Sequence, residues 1–209
     1  MRMRRRWTMQ MNELDRTTHF DVLIQPGFFG ASTCREIIAE MRLATESRAT
    51  VYGQSSSGSI DERIRKAARQ TPSPATVDYV RQRLWECKPE IEQHFDVSLG
   101  ECEEPQFLRY RVGDFFVAHQ DGNTGLMRMD SEARRVSVVI FLNEQSDGPQ
   151  EGAYCGGSLV FHDWRGGRGS GELPQACPPG TFVAFRSETT HEVTPVTHGE
   201  RYSIVGWYR

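Results

Sequence analysis

Two regimes of hydrophobic spacing divide the chain. Before residue 104 apolar positions recur mainly at helical intervals; after it they fall in short runs cut by turn residues. Ile37, Ile38, Met41 and Ala44 share one helical face, and Thr33 with Glu36 fits a capping box, so the pattern predicts a helix over 33–44. Ser73-Pro74 opens a second predicted helix carrying Val77, Val80, Leu84, Ile91 and Phe95. Pro89 lies inside that pattern and is expected to kink or divide it, because it lacks the N–H of an interior turn. Residues 46–74, rich in Ser, Gly, Arg and Thr, predict a long mobile connection and a candidate lid. A short strand is expected over 20–24, ended by Pro26-Gly27.

From residue 104 onward, strands are expected over 106–111, 115–119, 135–142, 157–161, 181–185, 191–196 and 201–208. Between them stand turn clusters such as Val112-Gly113-Asp114, Asp147-Gly148-Pro149 and Pro178-Pro179-Gly180. Many short strands with such punctuation imply a sandwich or barrel, with the preceding helices covering one outer face. The expected organisation is one domain over 19–209, with 19–103 as helical support and lid and 104–209 as the core. Residues 1–18 begin with Arg2, Arg4, Arg5 and Arg6 and continue polar. They are expected to be a disordered basic end and not an export signal, since no apolar run follows.

Composition narrows the class. At 209 residues the chain can bury a full core, and a formal net charge of −3 offers no footprint for nucleic acid. No run approaches the ~18 apolar residues of a membrane helix. Cysteines 34, 87, 102, 155 and 177 are odd in number and contain no C-x-x-C pair. That argues against a disulfide framework or structural zinc and for reduced thiols in a cytoplasmic protein.

The candidate chemistry lies at His119-Gln120-Asp121, at His191, and at Arg201-Tyr202-Ser203. A histidine and an aspartate two residues apart on a strand point to one side. One strand could then supply two ligands and another strand the third. Two imidazoles and one carboxylate hold one face of a non-haem Fe(II) and leave the other open. Arg201 could hold an anion in its planar fork, with Ser203 on the same strand face. Arg109 and Arg111 flank Tyr110 and are expected to face away from it into solvent.

The run Tyr110-x-x-Gly113-x-Phe115-Phe116-x-x-His119-x-Asp121 resembles the first metal motif of the 2-oxoglutarate/Fe(II) dioxygenases, in their prolyl 4-hydroxylase-like branch. Residues 136–143, Gly156-Gly157 through Phe161, His191 through Val196, and Gly199-x-Arg201-Tyr202-Ser203 to Trp207 resemble the rest of that branch's core. The resemblance covers 104–209 and implies a mainly β fold, the double-stranded β-helix or jelly roll, with N-terminal helices packed on one outer face. It implies Fe(II) on His119, Asp121 and His191, and 2-oxoglutarate held by Arg201, Ser203 and Tyr110. O2 would be the oxidant and ascorbate an accessory. The implied activity is C–H hydroxylation with release of succinate and CO2. The carboxylate of Asp121 separates the chain from related halogenases, which lack it. Arg201 stands where several prolyl 4-hydroxylases have lysine, which leaves open a prolyl peptide, a free amino acid or another small molecule as substrate. A cupin-like metal-binding protein without oxygenase activity is the alternative from a different class; it would have no use for an anion clamp.

Overall fold

The computed structural model describes residues 20–50, 60–122, 134–163, 169–172 and 177–209. The expected disordered end at 1–18 lies outside these residues, as do residues 123–133. In chain order the elements are β1 (Val22–Gln25), α1 (Ala31–Leu43), β2 (Thr45–Arg48), β3 (Arg65–Lys66), β4 (Ala68–Thr71), α2 (Pro74–Phe95), β5 (Gln106–Tyr110) and β6 (Phe115–His119). There follow β7 (Val136–Phe141), β8 (Cys155–Gly156), β9 (Leu159–Asp163), β10 (Gly169–Glu172), β11 (Phe182–Arg186), β12 (Thr190–Val193), β13 (Val196–His198) and β14 (Arg201–Tyr208).

The strands form a seven-stranded sheet in the order β1-β11-β7-β14-β5-β4-β2 and a five-stranded sheet in the order β10-β9-β12-β6-β3; β13 pairs with β8. The pairings between these strands are antiparallel. This is a mainly β structure with two helices, consistent with a jelly roll. Strand alternation sorts each central strand into two faces. Val136, Val138 and Ile140 of β7 and Tyr202, Ile204 and Tyr208 of β14 join one cluster with Ile37, Met41, Leu84 and Phe95 of the helices. Val139 and Phe141, one residue out of step, pack instead with Leu159 and Phe161 of the smaller sheet. With both faces covered, β7 is buried throughout and reads as the near-continuous apolar run expected of such a strand. Each fully buried Leu or Phe contributes roughly 1.5–3 kcal/mol.

Several expectations need correction. The first helix is capped at Gly30 with no side-chain bond; Thr33 lies within its first turn, so no Thr33–Glu36 capping box sets its start. The second helix starts as expected, with the Ser73 side chain accepting from the Thr76 N–H, but runs unbroken through Pro89. The carbonyl orphaned by Pro89 is that of Trp85 four residues back, a residue 60% exposed, where water can serve it. The expected connection over 46–74 contains β2, β3 and β4. Glu46 ties β2 to β4 and β5 by accepting from Gln70, Arg109 and Arg111, while β3 pairs with β6. Residues 51–59 of the connection lie outside those described. The strand expected over 191–196 is two, β12 and β13, separated at Thr194-Pro195; proline has no N–H for a ladder.

Candidate active site

His119 and His191 stand directly opposite each other on β6 and β12. The next paired position is Val193 with Phe116, so three steps of β6 match two of β12. This bulge turns Phe116 to the same side as His119, and their rings stack with centroids 3.5 Å apart. Asp121 does not lie on the strand as expected, because β6 ends at His119. The loop after β11 captures it instead: the Asp121 and Gly122 N–H groups both donate to the Ser187 carbonyl at 3.0 Å. The ligand atoms of His119, Asp121 and His191 all fall within 4.8 Å of one another.

Hydrogen bonds set the tautomers. His119 Nδ1 lies 2.9 Å from the Val117 carbonyl oxygen and His191 Nδ1 lies 2.9 Å from that of Thr189. A carbonyl only accepts, so each Nδ1 carries the proton and each Nε2 of the neutral ring presents a lone pair. Those nitrogens face the carboxylate, His119 Nε2 at 3.6 Å from Oδ1 and His191 Nε2 at 3.5 Å from Oδ2 of Asp121. Burial, together with the neighbouring His119, pushes the His191 imidazole down to about 4, so at neutral pH no ring proton lies between it and Asp121. Burial opposes the Asp121 charge, but in the acid range, where the imidazoles carry a second proton, they and the Trp207 side chain outweigh it and hold the carboxyl well below its usual range, so it is ionised at neutral pH. Converging lone pairs around an ionised carboxylate need a cation, and this donor set fits Fe(II).

The carboxylate is also held from behind. Ser137 Oγ donates to Asp121 Oδ2 at 2.8 Å and lies 2.9 Å from Ser187 Oγ. Ser137 on β7 and Trp207 on β14 are register partners. Ser137, Ser187 and Trp207 were not legible as site residues in the sequence. The signal for two of them was periodicity: Trp207 shares the parity of Arg201 and Ser203 on β14, and Ser137 that of Phe141 on β7.

Arg201, Ser203 and Tyr110 come together at the other end of the same inner face. Arg201 is paired in register with Tyr110 and is 1% exposed. Its guanidinium carbon lies 5.2 Å from the Tyr110 ring centroid and 5.1 Å from that of Phe141. One terminal nitrogen donates to Ser203 Oγ at 2.8 Å, while Nε is buried without a partner. Among the described residues no carboxylate forms an ion pair with it. Tyr154, also absent from the sequence expectation, lies beside Arg201, whose charge favours the phenolate; burial nonetheless raises its phenol above the usual range. Gly157, at φ +60°, leaves the room: a Cβ there would lie 3.1 Å from Arg201 Cδ and 3.3 Å from the Tyr154 ring. The solvated face expected for Arg109 and Arg111 holds for Arg111, half exposed, but not for Arg109, whose side chain is 12% exposed; both pair with Glu46 and Glu200.

The sequence profile of the 2OG-Fe(II) oxygenase superfamily matches residues 105–209. A PKHD-type hydroxylase of Paracoccus denitrificans is 34% identical over 105 residues, covering 49% of this chain and 41% of that protein. One from Shewanella oneidensis is 35% identical over 108 residues, with coverage of 49% and 41%. The chain thus matches about two fifths of the length of these curated relatives. Among solved structures, a Pseudomonas putida prolyl-4-hydroxylase superposes with a TM-score of 0.67 at 27% identity, over 94% of this chain and 96% of that one. A Trichoplax adhaerens prolyl hydroxylase, solved with a hypoxia-inducible factor peptide fragment, gives a TM-score of 0.67 over 97% and 92%, but at 18% identity it speaks for the fold alone. No described helix is long and apolar enough to cross a membrane.

Proposed function

Because the chain belongs to the 2OG-Fe(II) oxygenase superfamily, we propose that it is an Fe(II)- and 2-oxoglutarate-dependent hydroxylase resembling the prolyl 4-hydroxylases. One oxygen atom of O2 enters a substrate C–H bond as hydroxyl and the other enters succinate, while the 1-carboxylate leaves as CO2. The four electrons that O2 takes come in equal shares from the C–H bond and from the decarboxylation. When bound, the iron supplies the one-electron and O2 chemistry that side chains cannot.

The protein's part is to bind, orient and compensate charge. His119 and His191 offer Nε2 in preset tautomers. Asp121 contributes one negative charge, fixed by Ser137. Arg201 takes the remote carboxylate of 2-oxoglutarate, with Ser203, Tyr110 and Tyr154 around it. In this reading 104–209 carries every one of these residues, and 19–103 supports that core. The free cysteines suit a cytoplasmic setting.

The observation that carries the reading is the buried, unpaired Nε of Arg201 on the same inner face as the His-Asp-His cluster. A bare metal-binding module has no need of a buried cation without a counter-ion, and its desolvation would be uncompensated. The test is anaerobic titration of the Fe(II)-loaded protein with 2-oxoglutarate, followed by succinate release in air. A visible charge-transfer band that saturates with 2-oxoglutarate is expected. Iron binding without any response to 2-oxoglutarate would return the chain to the cupin-like alternative.

A further inference from the structure

Only two cations lie among the buried polar residues of the described chain: Arg201 at 1% and Arg65 at 6% exposed. The first has a role in the reading above. Arg65 sits on β3 at the edge of the smaller sheet, directly opposite Phe116. Its guanidinium carbon lies 4.7 Å from the Phe116 ring centroid, and that ring stacks on His119. One aromatic ring therefore separates the cation from a candidate metal ligand.

The hydrogen bonding of Arg65 is incomplete. One terminal nitrogen donates to the Thr50 carbonyl at 3.0 Å, and Nε is buried with no partner. Its basic neighbours are compensated: Arg63 pairs with Asp61, Lys66 with Asp114 and Arg69 with Glu104. No carboxylate among the described residues pairs with Arg65. The adjoining 51–59 segment contains no acidic residue in its sequence. A guanidinium taken out of water without a counter-ion is costly to keep. A purely structural clip between Thr50 and Phe116 would need neither the charge nor the remaining donors.

We infer that Arg65 anchors a carboxylate of the molecule to be hydroxylated, so that the substrate class is a carboxylate-bearing one. This rests on the hydroxylase reading and extends it from the cosubstrate to the substrate. The planar fork suits a carboxylate bidentately, and the position beside His119 keeps that anchor near the reacting centre. The deep guanidinium of Arg201 takes one acid and the outer one takes the other. The shared chemistry has two sources, the α-carboxylate of a free amino acid and an acidic side chain in a peptide.

The experiment uses the full chain loaded with Mn(II), a redox-inert stand-in, and saturated with 2-oxoglutarate. Paramagnetic relaxation of solution NMR signals reports binding of free L-amino acids against their amides, and of Asp-containing against Asn-containing hexapeptides. The expected result is at least a 10-fold preference for the acid in one pair, and that pair names the source. Arg65→Gln should abolish the preference and Arg65→Lys should keep part of it, since charge survives without the fork. Circular dichroism and 2-oxoglutarate affinity report whether each variant is folded. No acid-over-amide preference in the wild type, or an undiminished one in Arg65→Gln, overturns the assignment. A wild-type protein that binds Mn(II) but no 2-oxoglutarate fails the hydroxylase reading itself, and this inference with it.

Discussion

Replacing Arg201 by alanine should separate cosubstrate binding from metal binding. The side chain is 1% exposed and donates to Ser203 while its Nε stays unpaired. In the variant, the remote carboxylate of 2-oxoglutarate would enter a wall of Tyr110, Phe141 and Tyr154 with no counter-charge. Leaving one member of a buried ion pair uncompensated costs ~3–5 kcal/mol. At about 1.4 kcal/mol per decade, that is roughly a 10²- to 10³-fold or larger rise in dissociation constant. Arg201→Lys should recover part of the loss, because a point charge remains while the bidentate fork does not. Arg201→Met keeps most of the packing against Tyr110 and Phe141 but none of the charge, and should behave like alanine. The assay is anaerobic titration of each iron-loaded variant with 2-oxoglutarate and, in parallel, with 2-oxobutanoate, which lacks the remote carboxylate. Binding of 2-oxobutanoate and of iron should be nearly unchanged. An unaltered 2-oxoglutarate constant in Arg201→Ala, or an equal loss for both oxo acids, would refute the clamp.

Ser137→Ala removes the hydroxyl that donates to Asp121 Oδ2; metal affinity should fall about 10- to 100-fold, measured by Co(II) titration, with 2-oxoglutarate selectivity intact. Tyr154→Phe removes the hydroxyl proposed to share the remote carboxylate with Arg201; one hydrogen bond to a charged group is worth about 1.5–3 kcal/mol, so 2-oxoglutarate should weaken roughly 10- to 100-fold while 2-oxobutanoate is left alone. Burial raises the thiols of Cys34 and Cys87 to about 11 and that of Cys102 to about 12, above their unfolded value. Their contribution to stability is then complete below the unfolded thiol pKa of ~8.5 and is lost as pH rises towards the folded values. The urea midpoint should fall over that alkaline range, with thiolate absorbance near ~240 nm appearing only as the chain unfolds; thiolate forming in the folded protein at the ordinary thiol pH would contradict this.

How much of the site was legible depends on how far each residue reports its own surroundings. His119, Asp121, His191, Arg201, Ser203 and Tyr110 sit in an ordered motif, and the structure brings the first three together and the last three together. The strand argument for Asp121 reached the right side by the wrong route. The strand stops at His119, and the aspartate is placed by backbone bonds to Ser187, a residue no local pattern ties to it. Tyr154 was unreadable for a similar reason: its ring reaches Arg201 past Gly157, through a turn whose shape no periodicity encodes. The early strands failed differently. Glu46 and Gln70 look like loop polarity along the chain, yet they answer each other across β2 and β4, and cross-strand partners are invisible until register is known.

Arg65 shows the limit most clearly. In sequence it belongs to a mixed charge run, Asp61-Glu62-Arg63-x-Arg65-Lys66, for which a solvated loop or helix start is the natural expectation. Every other basic residue of that run, Arg63 and Lys66, does find an acid nearby. What singles out Arg65 is parity. The register with Phe116 turns it inward, and the bulge in β6 turns Phe116 to the side of His119. Neither shift leaves a mark in composition or spacing, yet together they move a surface-like charge to the edge of the site. A buried cation without a counter-ion is therefore a more informative pointer to substrate chemistry than the charge run from which it comes.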